Sequence, residues 1–443
     1  MAIGVPKRGT NTRSSEIKLE FAGKREEVEI LADPVASLRQ VFAESTENAL
    51  YYGENARVLR HLLEDDRVAG KVQLIYIDPP YATQTVFHSR KLEHAYDDTL
   101  SGANYLEFLR ERLVLLRELL ADNGSIYLHL DAKMVFAAKI ILDEVFGESN
   151  FRNLITRKKC NPKNYTRNAY GNVSDYLLFY SKSDEYIWNK PLEVWTPERA
   201  KEYQYVEAET GRRFMKVPVH APGTRNGETG QLWRDKAPPL GKHWQFPPRV
   251  LDEMDARGEI FWSSNGNPRR KVYLDENPGI GVQDIWLEFR DAHNQNVQIT
   301  GYPTEKNPEL LKRVILASSN PGDLVLDCFA GSGTTLAVAN ETRRRWIGID
   351  NSTEAIRTIF RRFTQGMEVM GDFVGKQGKK NVSNDLESLF AIEEIKESIL
   401  KFQTVRNFAF FTEETLEHQA TSLAREAGFV PIESDFLRSV LNG

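Results

Sequence analysis

The chain has little cysteine, with only Cys160 and Cys328 in 443 residues, far apart and in no ligand-like spacing. That argues against a disulfide scaffold and a zinc site, and it fits a reducing cytoplasm. Long apolar runs are missing as well. No stretch approaches the roughly 18 residues that a membrane span needs, and the polar start from Met1 to Ser15 lacks the apolar core of a signal peptide. Nor is there an excess of positive charge. A net charge of -5 does not advertise a polyanionic partner, although clustered basic residues within an acidic whole leave one open. What is present is an ordinary globular balance, 41% hydrophobic and 27% charged, with length for two or three domains.

Residues 1–45 read as a loosely ordered polar arm. Residues 46–185 alternate strand-like and helix-like patterns. Short strands are expected at 49–52, 72–77, 125–130 and 176–180, and helices at 55–63, 105–120 and 132–146. From 186 to 298 the periodicity breaks up and Pro, Gly, Trp and Asn become frequent, as in Ala237-Pro238-Pro239, so a separate irregular or β-rich module is expected. Over 299–370 the alternation returns, and 371–443 reads as a helical, partly Glu-rich region, with helices expected at 386–402 and 413–427. Strands alternating with helices imply a parallel sheet covered on both faces, here split by the middle module.

Two segments carry chemistry. The first is a strand from Leu324 that runs through Asp327 and Cys328 into Phe329-Ala330-Gly331-Ser332-Gly333-Thr334-Thr335 and then a helix. Glycines let a backbone approach a ligand closely, and a helix start offers unpaired N–H groups. Nineteen residues past Gly331 the next strand ends at Asp350, near the offset of about 20 at which an acid meets ribose hydroxyls. There is no Gly-Lys-Ser/Thr of a phosphate loop, and Leu336 stands where a nicotinamide fingerprint wants Gly or Ala. With Phe329 as an apolar wall, a ligand with a ribose, a small carboxylate and a thioether fits better, which points to S-adenosylmethionine. A ligand-free glycine turn is the plain alternative.

The second segment is Asp78-Pro79-Pro80-Tyr81, directly after the apolar strand Val72 to Ile77. It therefore belongs at the carboxyl end of a strand, where open α/β sheets bind ligands. Pro79 and Pro80 remove two N–H donors, so the Asp78 carboxylate and the Pro79 carbonyl form adjacent acceptors that match the two hydrogens of an NH₂ group. Holding both hydrogens aims the nitrogen lone pair at an electrophile. Tyr81 offers a face for stacking a base. A rigid turn with a capping aspartate is the structural alternative.

Together these motifs resemble the DNA amino-methyltransferases, whose catalytic motif is Asp-Pro-Pro-Tyr and whose cofactor motif is Phe-x-Gly-x-Gly. The order here, catalytic motif first and Phe329 to Gly333 last, matches the permuted β group, which includes the modification subunits of type III restriction systems. The resemblance covers roughly 48–185 and 298–362. It implies a Rossmann-like α/β sheet, circularly permuted, with a catalytic half at 46–185, a target-recognition domain inserted at 186–298 and a cofactor half at 299–370. It implies transfer of a methyl group to the N6 amine of an adenine flipped out of double-stranded DNA. N4 of cytosine is the nearest rival, and a catalytically silent DNA-recognition subunit is a rival of another class. Lys306 matches a lysine that helps hold the methionine part of the cofactor, Asp350 the acid at its ribose, and Asn55 a contact near its adenine; no metal is required. A homodimer and a separately encoded restriction subunit are the partners left open, in a microbial or phage-host cytoplasm.

Basic residues Arg152, Arg157, Lys158, Lys159, Lys163 and Arg167 form a run that either tracks phosphates or is a solvated loop. Within the insert, Arg234, Lys236, Lys242, Arg249, Arg269, Arg270 and Lys271 are further candidates for DNA contact, while Trp233, Trp244 and Trp262 read better as core. His129 reads as structural.

Overall fold

The computed structural model describes residues 17–80, 85–88, 94–98, 102–161, 168–193, 195, 199–276, 279–291, 298–300, 302, 305–366, 368–369 and 404–432. Two compact units emerge. Residues 190–282 form one, and the chain on either side of them forms the other.

The larger unit is built on a ten-stranded sheet. Its strands, numbered along the chain, are β1 (Leu38–Ala43), β2 (Asn48–Tyr52), β3 (Val72–Ile77), β4 (Leu120–Leu130), β5 (Phe151–Lys158), β6 (Ser174–Ser181), β7 (Ile285–Trp286), β8 (Leu324–Asp327), β9 (Arg345–Asp350) and β10 (Phe408–Glu413). They lie in the order β1-β10-β2-β9-β8-β3-β4-β6-β5-β7. The six from β10 to β4 are mutually parallel, so their carboxyl ends share one edge. β1, β6 and β5 add antiparallel pairings at the flanks.

Alternation along each strand explains the layering. Ile75, Ile77, Leu326, Cys328, Ile347 and Ile349 join one core with residues of the helices Asn55–Leu63, Gly102–Leu119 and Val135–Phe146. On β9 the alternate residue Trp346 instead meets Phe363 and Phe408, part of an aromatic group that includes Phe360 and Phe42. The sheet is thus covered on both faces, as the α/β pattern implies.

Three expectations need correction. The stretch read as a polar arm supplies β1, an edge strand, and the helix Glu27–Ala32. The region read as helical supplies β10, inserted between β1 and β2, before the helix Glu417–Glu426. The helix expected over 386–402 lies outside the described residues. The run from Arg152 to Lys158 is not a loop but strand β5. There Arg157 is fully buried between Asp175 and Asp291, so it cannot reach a phosphate. Arg152 bonds Ser181 and Asp184, and Lys163 and Arg167 lie outside the described residues.

The smaller unit holds a four-stranded sheet of Tyr205–Val206, Arg213–Pro218, Ile260–Trp262 and Pro268–Tyr273. Trp233 and Trp244, both buried, pack with Leu251, Met254 and Ile260, and Trp262 leans on the same cluster. Several cations expected to meet DNA are engaged within the unit. Arg234 pairs with Asp252 and Asp255, Arg249 with Glu253, and Lys271 with Glu207. Arg269 remains exposed.

Candidate active site

β3 and β8 are hydrogen-bonded parallel neighbours, with Leu74 beside Val325 and Ile75 beside Leu326. Both chains leave the sheet at the same edge, one into Asp78-Pro79-Pro80 and the other into the turn 328–333. Neighbouring strands lie about 4.8 Å apart, so the two turns are side by side although some 250 residues separate them in sequence. Pro79 is buried and Asp78 is partly exposed. Tyr81 lies outside the described residues.

The glycine turn is fixed by its neighbours. Gly331 and Gly333 have φ of 51° and 73°, a left-handed conformation that costs an ordinary residue roughly 1–2 kcal/mol. The Gly331 N–H donates to Asp350 Oδ2 at 2.8 Å, and the Ser352 N–H donates to Asp350 Oδ1 at 2.8 Å. Asp350 therefore ties the turn to the end of β9, whatever else it binds. A Cβ at Gly333 would stand 2.8 Å from Ile359 Cγ1. Gly333→Ala is expected to cost about 1–3 kcal/mol of unfolding free energy in a urea titration, by strain and overpacking together.

Asp327 ends β8 fully buried. Its Oδ1 accepts the Phe329 N–H at 3.0 Å, and Thr335 also bonds its side chain. Burial pushes its carboxyl up to about 7, against those two hydrogen bonds and with help from Asp78 and Asp350. Burial likewise raises Asp350 to about 6. A carboxyl raised in the folded state binds its proton more tightly folded than unfolded. Its contribution to stability is complete below about pH 4 and is lost as pH rises through about 7. Asp327→Asn, whose amide oxygen can still accept the Phe329 N–H, is expected to flatten that loss. Melting temperatures from pH 4.5 to 8 should show the variant gaining on the parent as pH rises.

Asn55 is a strut. Its Nδ2 donates to the Cys328 carbonyl at 2.9 Å and its Oδ1 accepts from Arg112 Nε at 2.7 Å. The Arg112 guanidinium lies 3.6 Å from the centroid of Phe108, whose ring is 6.0 Å from that of Phe329. Arg112 also pairs with Glu54, and the Glu54 N–H donates to Glu413 Oε1 at 2.7 Å. Phe108, Arg112 and Glu413 thus back the half-buried Phe329 and the Asn55 turn. None was among the expected site residues, and only the helical spacing of the first two offered a signal.

Lys306 stands on Asp78, its ammonium paired with Oδ2. Next to it, Glu305 is buried, accepts the Thr300 N–H and hydroxyl at 2.8 Å, and pairs with the buried Arg362, which also donates to Thr334 Oγ1 at 3.1 Å. These bonds lock the Lys306 segment to the helix start at Thr334, where Ser332 Oγ and Thr334 Oγ1 are 3.0 Å apart. Ala330 and Thr335 are buried in the same turn. Among the described residues, no group of His, Cys, Asp and Glu has the arrangement of a metal site. The expected residues Asp78, Pro79, Pro80, Lys306, Asp327, Phe329 to Thr335 and Asp350 therefore gather at one edge of the sheet, with Asn55 holding the turn from behind.

A parallel sheet with a glycine turn and an Asp-Pro-Pro turn on adjacent strands defines an α/β methyltransferase. The sequence profile of the DNA methylase family of N6/N4 methyltransferases matches residues 72–361, and the chain belongs to that family. It is 48% identical over 368 residues to the type II methyltransferase M.EcaI of Enterobacter cloacae, covering 81% of this chain and 80% of that protein. It is 47% identical over 344 residues to the DNA adenine methyltransferase YhdJ of Escherichia coli K12, covering 75% of this chain and 91% of that one. The Mod subunit of the type III restriction-modification enzyme StyLTI of Salmonella typhimurium matches at 25% identity over 375 residues, covering 74% of this chain and 56% of that subunit. The chain is a DNA methyltransferase, and its methyl donor is S-adenosylmethionine.

Proposed function

We propose that this chain methylates the N6 amine of adenine at a specific site in double-stranded DNA, with the target base turned out of the helix to meet Asp78. The observation that carries the reading is the adjacency of the Asp78 turn to the glycine turn on neighbouring parallel strands.

The side chains present fit the cofactor by their chemistry. Phe329 offers a half-exposed apolar ring, Asp327 and Asp350 supply carboxyl acceptors, Lys306 supplies a cation, and the two left-handed glycines bring backbone close. Residues 327 and 329–335, with Lys306, Asp350 and the Asn55 turn, would hold S-adenosylmethionine, which supplies an electrophilic methyl group on a sulfonium. Asp78 and the Pro79 carbonyl accept the two amino hydrogens of the base and direct the nitrogen lone pair. As positive charge develops on that nitrogen, the Asp78 carboxylate stabilises it more than the neutral ground state. Lys306 pairs with Asp78 Oδ2. Tyr81 stacks on the base.

Catalytic turn first and glycine turn last supports a permuted domain order, and the separate unit at 190–282 supports a target-recognition role for the insert. The adenine reading draws on Asp rather than Ser at position 78 and on the similarity to YhdJ. Its test is nucleoside identification after expression in a methylation-free host. N6-methyladenine is expected, and N4-methylcytosine alone would overturn the adenine assignment. Copurification from the native host would show whether a second copy or a restriction subunit accompanies the chain. Among the described residues, no helix is long and apolar enough to cross a membrane.

A further inference from the structure

Behind Asp78 runs a buried row of ionisable side chains that methyl transfer as described does not use. Asp78 Oδ1 lies 4.0 Å from His129 Nδ1, and His129 Nε2 lies 3.3 Å from Asp175 Oδ2. Arg157 Nη1 is 3.2 Å from Asp175 Oδ2, and Arg157 also pairs with Asp291 at 2.5 Å. The Tyr76 hydroxyl is 2.7 Å from His129 Nδ1. His129 and Arg157 have no exposed surface. A polar row of this kind is costly in a β-sheet interior unless its members are paired, and packing alone gives no reason to run it up to a catalytic carboxylate.

We propose that His129, backed by Asp175, takes up the proton released by the methylated amine, with Asp78 as the bridge. This rests on the assignment of Asp78 to the target amine. Once nitrogen bonds the methyl carbon and the carbon–sulfur bond breaks, the amine is a cation with one hydrogen in excess. That N–H bond breaks with its electron pair left on nitrogen, and the proton passes to Asp78 Oδ1. Lys306 pairs with Oδ2, and Oδ1 is the oxygen that faces His129. Imidazole is intrinsically a stronger base than a carboxylate. A closure of about 1 Å brings Nδ1 within hydrogen-bond distance of Oδ1, and the proton moves on to it. The Tyr76 hydroxyl turns from donor to acceptor at the same nitrogen.

The imidazolium charge is balanced by Asp175. Burial alone would raise that carboxyl, but His129 and Arg157 outweigh it and hold Asp175 well below the usual carboxylate range, so it stays anionic. The other groups around this pair are Asp327 beside Tyr76, Lys306 toward Asp175, and Asp131, which follows the end of β4 two residues after His129. When product leaves, the proton returns through Asp78, which is partly exposed.

The test is the single-turnover methylation rate from pH 5.5 to 8.5, with S-adenosylhomocysteine affinity measured by calorimetry on the same preparations. The parent should slow on its acid side, because a protonated imidazole cannot take up a further proton. His129→Asn should be slower by about 10²-fold at pH 7.5 and lose that acid limb, with cofactor-product affinity unchanged. A folded His129→Asn with the parental rate and limb overturns the relay. If that variant does not fold, ¹⁵N-histidine spectra of the parent decide. A His129 ring titrating with the midpoint of the rate limb supports the relay, and a ring neutral throughout, or no limb at all, overturns it. Asp78→Ala separates the two readings. If it remains active, the assignment of Asp78 itself fails; if it is inactive while His129→Asn is unaffected, only the relay fails.

Discussion

Asp78→Ala should lower the single-turnover rate of methyl transfer by about 10³-fold or more, while S-adenosylhomocysteine still binds. The carboxylate is the one charged acceptor in the Asp-Pro-Pro turn, and its replacement leaves only the Pro79 carbonyl for an amine with two hydrogens. The glycine turn keeps its own supports, since Gly331 is held by Asp350 and Asn55 is held by Arg112 and the Cys328 carbonyl. Asp78→Asn is the sharper variant. It keeps an acceptor oxygen but removes the charge that pairs with Lys306 and adds a donor facing the amine, so a large loss is expected there too. Full activity in Asp78→Ala would remove this residue from catalysis.

Arg157→Met should destabilise the larger unit by about 3–5 kcal/mol in a denaturant titration. The cost comes less from lost packing than from leaving the Asp175 carboxylate buried without its guanidinium partner. Asp175→Asn in the same chain should recover part of the loss, because the orphaned charge is then gone. If Arg157 instead served DNA, Arg157→Met would leave stability within about 0.5 kcal/mol of the parent and reduce the salt dependence of DNA binding.

The same residue shows where the sequence runs out. A buried guanidinium and a solvated one look alike in a run such as Arg152 to Lys159; only the facing acids, Asp175 and Asp291, distinguish them, and these lie 18 and 134 residues away. The two turns were legible for a local reason. At Asp78 and at Gly331 an apolar strand stops against residues that cannot continue it, and both stops survive without tertiary information. β10 was not legible: Phe408 to Glu413 is a short apolar run that suits a buried helix turn as well as a strand. Lys306 was expected toward the cofactor, and its pairing with Asp78 depends on a contact across 228 positions that no periodicity encodes.

β10 lies between β1 and β2, with Phe410 beside both Phe42 and Leu50. Two strands from the first fifty or so residues therefore wait for a partner made more than 350 residues later. During synthesis they expose unpaired backbone and aromatic surface until that partner emerges, which is the geometry that slows folding and invites wrong pairing. A ribosome that stalls between 366 and 404 would release a chain with both turns of the site already made but the sheet beneath the Asn55 turn left open.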